Sequence, residues 1–186
     1  MRFNRSILLP FVASLLGCVV PMPAEAPAPA RPPARVDQTV RAGRAETAGE
    51  NPYGRMESRI FALVNAERKK RGLKALAWNP RLDQAAKLHA RNMATYRKMA
   101  HVIPESKFPT LSHRAQHVSY PYSMIAENIA LGYSDAESVV RGWMESPGHR
   151  RNILNPGVSE IGTGVVSSKT GGLYFCQVFG KQLTTI

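Results

Sequence analysis

Two imidazoles and a carboxylate, His101, Glu127 and His149, occupy the positions in this chain best suited to chemistry. Glu127 interrupts an apolar stretch, Ala126-Glu127-Asn128-Ile129-Ala130-Leu131, where an unpaired carboxylate would be costly to bury. His149 follows the Pro147-Gly148 break, and His101 follows Met99-Ala100. If the three converge, they form one polar cavity built from distant segments. Two neutral imidazoles can hold a borderline cation such as Zn²⁺ and leave positions for water or ligand. A nearby carboxylate can orient an imidazole or hold a bound water. In a metal-assisted hydrolase, Glu127 would act instead as the general base. Neither His-Glu-x-x-His nor a Gly-x-Ser-x-Gly elbow occurs, which weighs against a hydrolase. A hydrogen-bonded His–Glu network that only specifies the core is the plainer alternative.

The elements that must position these groups can be read from periodicity. A first helix is expected from about Arg55 to Arg71, with Met56, Ile60, Leu63, Val64 and Glu67 on one face and Gly72 as its stop. Leu73, Leu76 and Trp78 form an apolar connector. Asn79-Pro80 is a strong start signal for a second helix running to about Lys98, with Leu82, Ala85, Ala86, His89, Met93 and Tyr96 as its buried stripe. On that stripe His89 reads as a core histidine bonded to backbone. A short helix is expected near Leu111–His117. Its His113 and His117 stand at i,i+4 but without an accompanying acid, so they read as solvent-exposed. Glu127–Leu131 reads as an extended segment, and Ser134-Asp135-Ala136-Glu137 as a capping box for a third helix that Pro147-Gly148 ends. Ile161–Val166 and Leu173–Phe179 form a C-terminal hairpin. Helices followed by a hairpin imply an α+β layered domain.

Charge narrows the partners. The chain carries 25 Lys+Arg against 13 Asp+Glu, a formal net charge of +12. Such a basic protein attracts anionic polymers or lipid head groups. The run Arg68-Lys69-Lys70-Arg71 is read as a solvated helix end that complements the macrodipole. Interleaved aromatics are lacking and the N-terminus reads as an export signal, so nucleic acid is not expected as a partner. Oligomeric state is open, with a monomer as the working expectation.

Several runs in fixed order carry a family resemblance. They are Val64-Asn65-Ala66-Glu67-Arg68, Arg71-Gly72-Leu73, Leu76-Ala77-Trp78-Asn79-Pro80-Arg81-Leu82, Met99-Ala100-His101 and Ala126-Glu127-Asn128-Ile129-Ala130. Trp143-Met144-Glu145-Ser146-Pro147-Gly148-His149-Arg150-Arg151-Asn152-Ile153-Leu154 and Ile161-Gly162-Thr163-Gly164-Val165 complete the set. Together they resemble the CAP superfamily (cysteine-rich secretory, antigen 5 and pathogenesis-related proteins) in its bacterial SCP-like form. The resemblance implies a three-layer α-β-α sandwich with a central cleft lined by two histidines and acids, where some members hold a divalent cation. It assigns His101, His149 and Glu127 to that cleft, with Ala126 in place of the usual glycine. Ser146 stands where eukaryotic members carry a second acid, so Glu145 and Glu160 become the substitute candidates. The function implied is an envelope-tethered or secreted, non-enzymatic domain. It would bind a lipid or an anionic wall or surface polymer, with Zn²⁺ or another divalent cation as a possible cofactor. A metal-assisted hydrolase of peptide or cell-wall substrates is the alternative.

The N-terminus reads as a targeting segment. Met1–Arg5 supplies positive charge and Ser6–Gly17 an apolar run shorter than the ~20 residues a spanning helix needs. Leu15-Leu16-Gly17-Cys18 resembles a bacterial lipobox, making residues 1–17 a lipoprotein signal and Cys18 the lipidated membrane anchor. Residues 18–51, rich in Pro and Ala, read as a disordered tether, and residues 52–186 as the domain. Cleavage after Ala24-Glu25-Ala26, giving a secreted protein, and an uncleaved anchor are the other options. Cys18 and Cys176 are the only cysteines, so lipidation of Cys18 leaves Cys176 unpaired; a Cys18–Cys176 disulfide is the alternative. Mass spectrometry of the mature protein is expected to find acylated Cys18 at the N-terminus, and Cys18→Ser to release the chain from membranes. An intact N-terminus at Pro27 would contradict this.

Overall fold

A computed structural model describes residues 52–184, so the signal, Cys18 and the whole tether lie outside the described residues. Helix α1 (Gly54–Lys69) buries Glu57, Ile60, Val64 and Arg68. That stripe is rotated from the expected apolar face, because its two ends are charged residues with internal partners. The Arg68 guanidinium donates to the carbonyls of Lys74 (2.9 Å), Ile153 (2.8 Å) and Asn155 (2.8 Å). Arg68 is therefore a buried tie, and only the rest of its basic run is a solvated helix end.

Strand β1 (Ala77–Trp78) leads into α2 (Pro80–Tyr96). Asn79 caps α2 by accepting from the backbone N–H of Arg81 and Leu82, and Pro80 takes the first turn, where no N–H is needed. Helix α3 (Leu111–His117) follows, then β2 (Tyr122–Leu131), α4 (Ala136–Glu145) and α5 (Pro147–Ile153). Strands β3 (Glu160–Ser167) and β4 (Leu173–Gln182) close the chain as a hairpin. Asp135, rather than Ser134, caps α4, its carboxylate accepting from the Ser138 N–H at 2.7 Å. The Pro147-Gly148 break proves to be a start as well as a stop. Ser146 ends α4 and begins α5, with Pro147 at the first helical position, so His149 sits on a helix rather than in a turn.

The sheet order is β1-β3-β4-β2, parallel between β1 and β3 and antiparallel elsewhere. Alternation along β4 divides the core in two. Phe175 and Phe179 face α1, α4 and α5, packing with Ile60, Val64, Val139, Trp143 and Ile153. Tyr174, Cys176 and Val178 face α2, packing with Leu82, Ala86 and Met93. This is the expected α-β-α sandwich.

On the α2 side β3 has almost no side-chain thickness. A Cβ on Gly162 would lie 1.9 Å from the Asp83 backbone N, and one on Gly164 would lie 2.5 Å from the Lys87 N. Helix α2 therefore rests on bare strand backbone, and neither wall can yield. Close approach fixes the depth of α2 and hence of His89, its fully buried imidazole.

Candidate functional site

The site is built around β2, an edge strand. Successive residues of a strand point to opposite faces, so Glu127 and Asn128 serve different layers. Glu127 faces α2 and α3; its side chain is 3% exposed. Asn128 faces α5: its amide donates to the His149 carbonyl at 3.1 Å, and its oxygen accepts from Asn152 at 2.9 Å. Asn152 also donates to the Glu127 carbonyl (3.2 Å), and Trp143 Nε1–H to the Ile129 carbonyl (3.1 Å). Side chains from α4 and α5 thus occupy carbonyls of the edge strand. The helix carrying His149 and the loop carrying His101 reach β2 from opposite faces.

Four groups meet the Glu127 carboxylate. Arg114, fully buried on α3, donates from Nη2 to Oε2 at 2.7 Å and from Nη1 to the Pro109 carbonyl at 3.2 Å. The Cys176 thiol approaches Oε2 at 3.5 Å. On the other oxygen, His101 Nδ1 lies 2.9 Å from Oε1 and His89 Nε2 lies 3.5 Å away. Burial pushes the Glu127 carboxyl up. The hydrogen bond from His101 and the charge of Arg114 pull harder, holding it below the ordinary carboxylate range. Glu127 is therefore a buried anion at neutral pH. Beside it, burial pushes the Cys176 thiol well up, so Cys176 is free, protonated and chemically inert.

An ionised carboxylate accepts and cannot donate, so Nδ1 of a neutral His101 carries the proton. Its Nε2 then presents a lone pair. Because 55% of the His101 side chain is exposed, that lone pair is offered near the surface, while the carboxylate that orients it is sealed below. This pairing of a buried orienter with an accessible imidazole is the chemical core of the site.

Of the candidates read from the sequence, His101 and Glu127 come together. His149 joins their strand through its backbone carbonyl, which accepts from the Asn128 amide. Glu160 is held elsewhere, accepting from Tyr120 OH (2.6 Å) and Asn79 (2.9 Å) and engaged by Gln182. Glu145 is exposed at the end of α4, and Ser146 is half-buried at the α4–α5 junction. Neither is bonded to Glu127. His113 bonds Thr110 Oγ1 (3.1 Å) and His117 stacks on Phe108 (3.9 Å between centroids), so their i,i+4 spacing serves local structure. Sequence reasoning missed Arg114 and undervalued His89. Arg114 lies one residue after His113 in a polar helix and gives no apolar signal. His89 was visible on the α2 stripe, but its neighbour Glu127 is 38 positions away.

The site fits a cation poorly at Glu127. Both oxygens are engaged and a guanidinium lies against one of them. Among the described residues no three His, Cys, Asp or Glu side chains are arranged to hold an ion. What the site offers a cation is the exposed His101 ring.

An α-β-α sandwich with a buried carboxylate presenting a surface imidazole beside its edge strand defines the class. The chain belongs to the cysteine-rich secretory protein (CAP) family, whose model matches residues 61–179. It is 36% identical over 135 residues to the uncharacterized Bacillus subtilis protein YkwD, covering 73% of this chain but 51% of YkwD. The chain thus spans about half the length of that relative. Among solved structures it resembles an extracellular SCP-domain protein of Bacillus anthracis, with 30% identity, a TM-score of 0.62, and 68% of this chain and 40% of that one covered. It also shares the fold of an outer surface protein of Borrelia burgdorferi, with 22% identity, a TM-score of 0.66, and coverage of 72% and 97%.

The buried imidazole generates a pH prediction. Burial, with the charge of Arg114 in the same direction, drives His89 down from 6.5 to about 4, against the pull of Glu127 and the Ala100 carbonyl. Unfolded His89 takes a proton near pH 6.5 and folded His89 only near 4. Its share of stability is therefore complete above about 6.5 and lost as pH falls toward 4. The gap corresponds to about 3 kcal/mol. Glu127, depressed below its usual value, adds a second loss below about pH 4.5. Urea unfolding from pH 7 to 4 should show this decline, and His89→Gln should remove most of its upper part. An unchanged slope in that variant would contradict the assignment.

Proposed function

We propose that this is an exported, envelope-associated binding domain that holds an anionic amphiphile, a lipid or lipid-like wall component, at the His101 opening. The observation that carries this reading is the exposed His101 ring fixed at 2.9 Å on buried Glu127. A fixed, accessible imidazole is suited to a polar head group. Tyr96, Met99 and Val102 flank it in the chain and are exposed, offering apolar surface for an aliphatic part. Around the end of α5 a cavity of about 490 Å³ is lined by Arg150, Arg151, Leu154 and Asn155 among others, whose cations suit an anionic group. Export is supported by the N-terminal signal pattern and by likeness to proteins described as extracellular or outer-surface.

The hydrolase reading asks Glu127 to accept a proton from water. Its two oxygens are already engaged, by His101 and by Arg114, which favours a positioning role over a general base. A divalent cation such as Zn²⁺ would find the exposed His101 imidazole but no free oxygen on Glu127, which favours binding without an ion. The test is co-sedimentation of the purified chain with phosphatidylglycerol-containing vesicles, with and without EDTA, alongside assays of peptide, ester and wall-substrate turnover. Wild type should bind in both conditions without turnover, and His101→Ala should bind about tenfold more weakly, roughly 1.4 kcal/mol. Wild-type affinity in His101→Ala, or turnover that EDTA abolishes, would contradict the reading.

A further inference from the structure

We propose that a second binding site, for a phosphorylated polyol or sugar segment of an anionic surface polymer, lies where the end of α2 meets the β3–β4 hairpin. It goes beyond the reading above and does not depend on it, since none of its residues bonds Glu127. A cavity of about 480 Å³ opens there, lined by Arg91, Thr95, Arg97, Ser167, Ser168 and Lys169 with two small aliphatic side chains. Three cations line it and no acid does.

Several other cations on the domain are neutralised, Arg150 and Arg151 on α5 being an exception. Lys70 and Arg71 share Glu67, Arg59 pairs with Glu137, Lys98 with Glu105, and Lys87 with Glu57 and Asp83. Among the described residues Arg91 donates only to the Lys87 carbonyl of its own helix, at 3.3 Å. Arg97 and Lys169 have no carboxylate partner among the described residues. The negative end of the α2 macrodipole accounts for a cation at the helix terminus. It does not account for Lys169, which another element brings to the same cavity. Arg97 is the left-handed C-cap of α2 (φ 52°), its N–H bonding the Met93 carbonyl, and the end of the helix thereby brings its side chain to the cavity.

Arginine forks match phosphate oxygens in pairs, and a lysine adds a point charge. The cavity is far larger than one phosphate and falls in the range of small-molecule sites, leaving room for the polyol or sugar that joins phosphates in a polymer. Thr95, Ser167 and Ser168 give that part hydroxyl-bearing walls. No large apolar side chain lines the cavity, so a free polymer fits it better than a bilayer surface, which would need apolar anchors.

The experiment titrates the full chain with glycerol-phosphate oligomers at low salt, and separately with phosphatidylglycerol vesicles. Wild type should bind the oligomers, more weakly as salt rises. Arg91→Glu/Lys169→Glu should bind them about tenfold more weakly or worse, and Arg91→Gln/Lys169→Gln should fall between. Lys74→Glu/Lys181→Glu, which removes the same charge from exposed positions outside the cavity, should stay within about twofold of wild type. Equal losses in both charge-reversal pairs would overturn the site in favour of general attraction. No oligomer binding by wild type, or vesicle binding alone that depends on Arg91 and Lys169, would overturn it as well.

Discussion

The structure depends on one buried anion. Taking the Glu127 carboxylate out of water costs several kcal/mol, and the charge survives only because Arg114, equally buried, lies 2.7 Å away while His101 bonds the other oxygen. Removing one partner of such a pair commonly costs about 3–5 kcal/mol, because the other is left buried and unpaired. Three elements are thereby fixed to one another: α3 through Arg114, β2 through Glu127, and the loop after α2 through His101. The same charge decides the proton position on His101 and so the chemistry offered at the surface. Stability and the surface chemistry of His101 meet in a single carboxylate.

The sheet supplies that geometry. Strict alternation sends Glu127 toward α2 and Asn128 toward α5, so adjacent residues serve the buried charge on one face and the His149 helix on the other. Gly162 and Gly164 let α2 settle onto β3, which places His89 within 3.5 Å of the carboxylate. A thicker strand would hold α2 farther out and open the site to water. The apolar side chains fill two cores, while the glycines and the alternation determine where the polar groups can be.

Much of this was legible in the sequence. The Asn79-Pro80 cap, the C-terminal hairpin, the α2 stripe and the convergence of His101 and Glu127 follow from local pattern and ordered motifs. What was not legible shares a cause. Arg68 and Arg114 are buried cations whose partners are backbone carbonyls or a carboxylate from other elements, and charge is read locally as exposure. Helix α5 was missed because Pro147-Gly148 signals an end, and the same proline suits a first turn. Glu160 was a reasonable substitute acid by spacing, but Tyr120 and Asn79 hold it in a different cluster.

The central claim is that an ionised Glu127 fixes the His101 tautomer with Nε2 unprotonated and accessible. Imidazole ¹⁵N NMR of the folded domain at pH 7.5 tests it directly. The account predicts that His101 carries its proton on Nδ1 in the wild type and loses that preference in Glu127→Gln. A wild-type His101 protonated on Nε2, or a tautomer indifferent to residue 127, would contradict it.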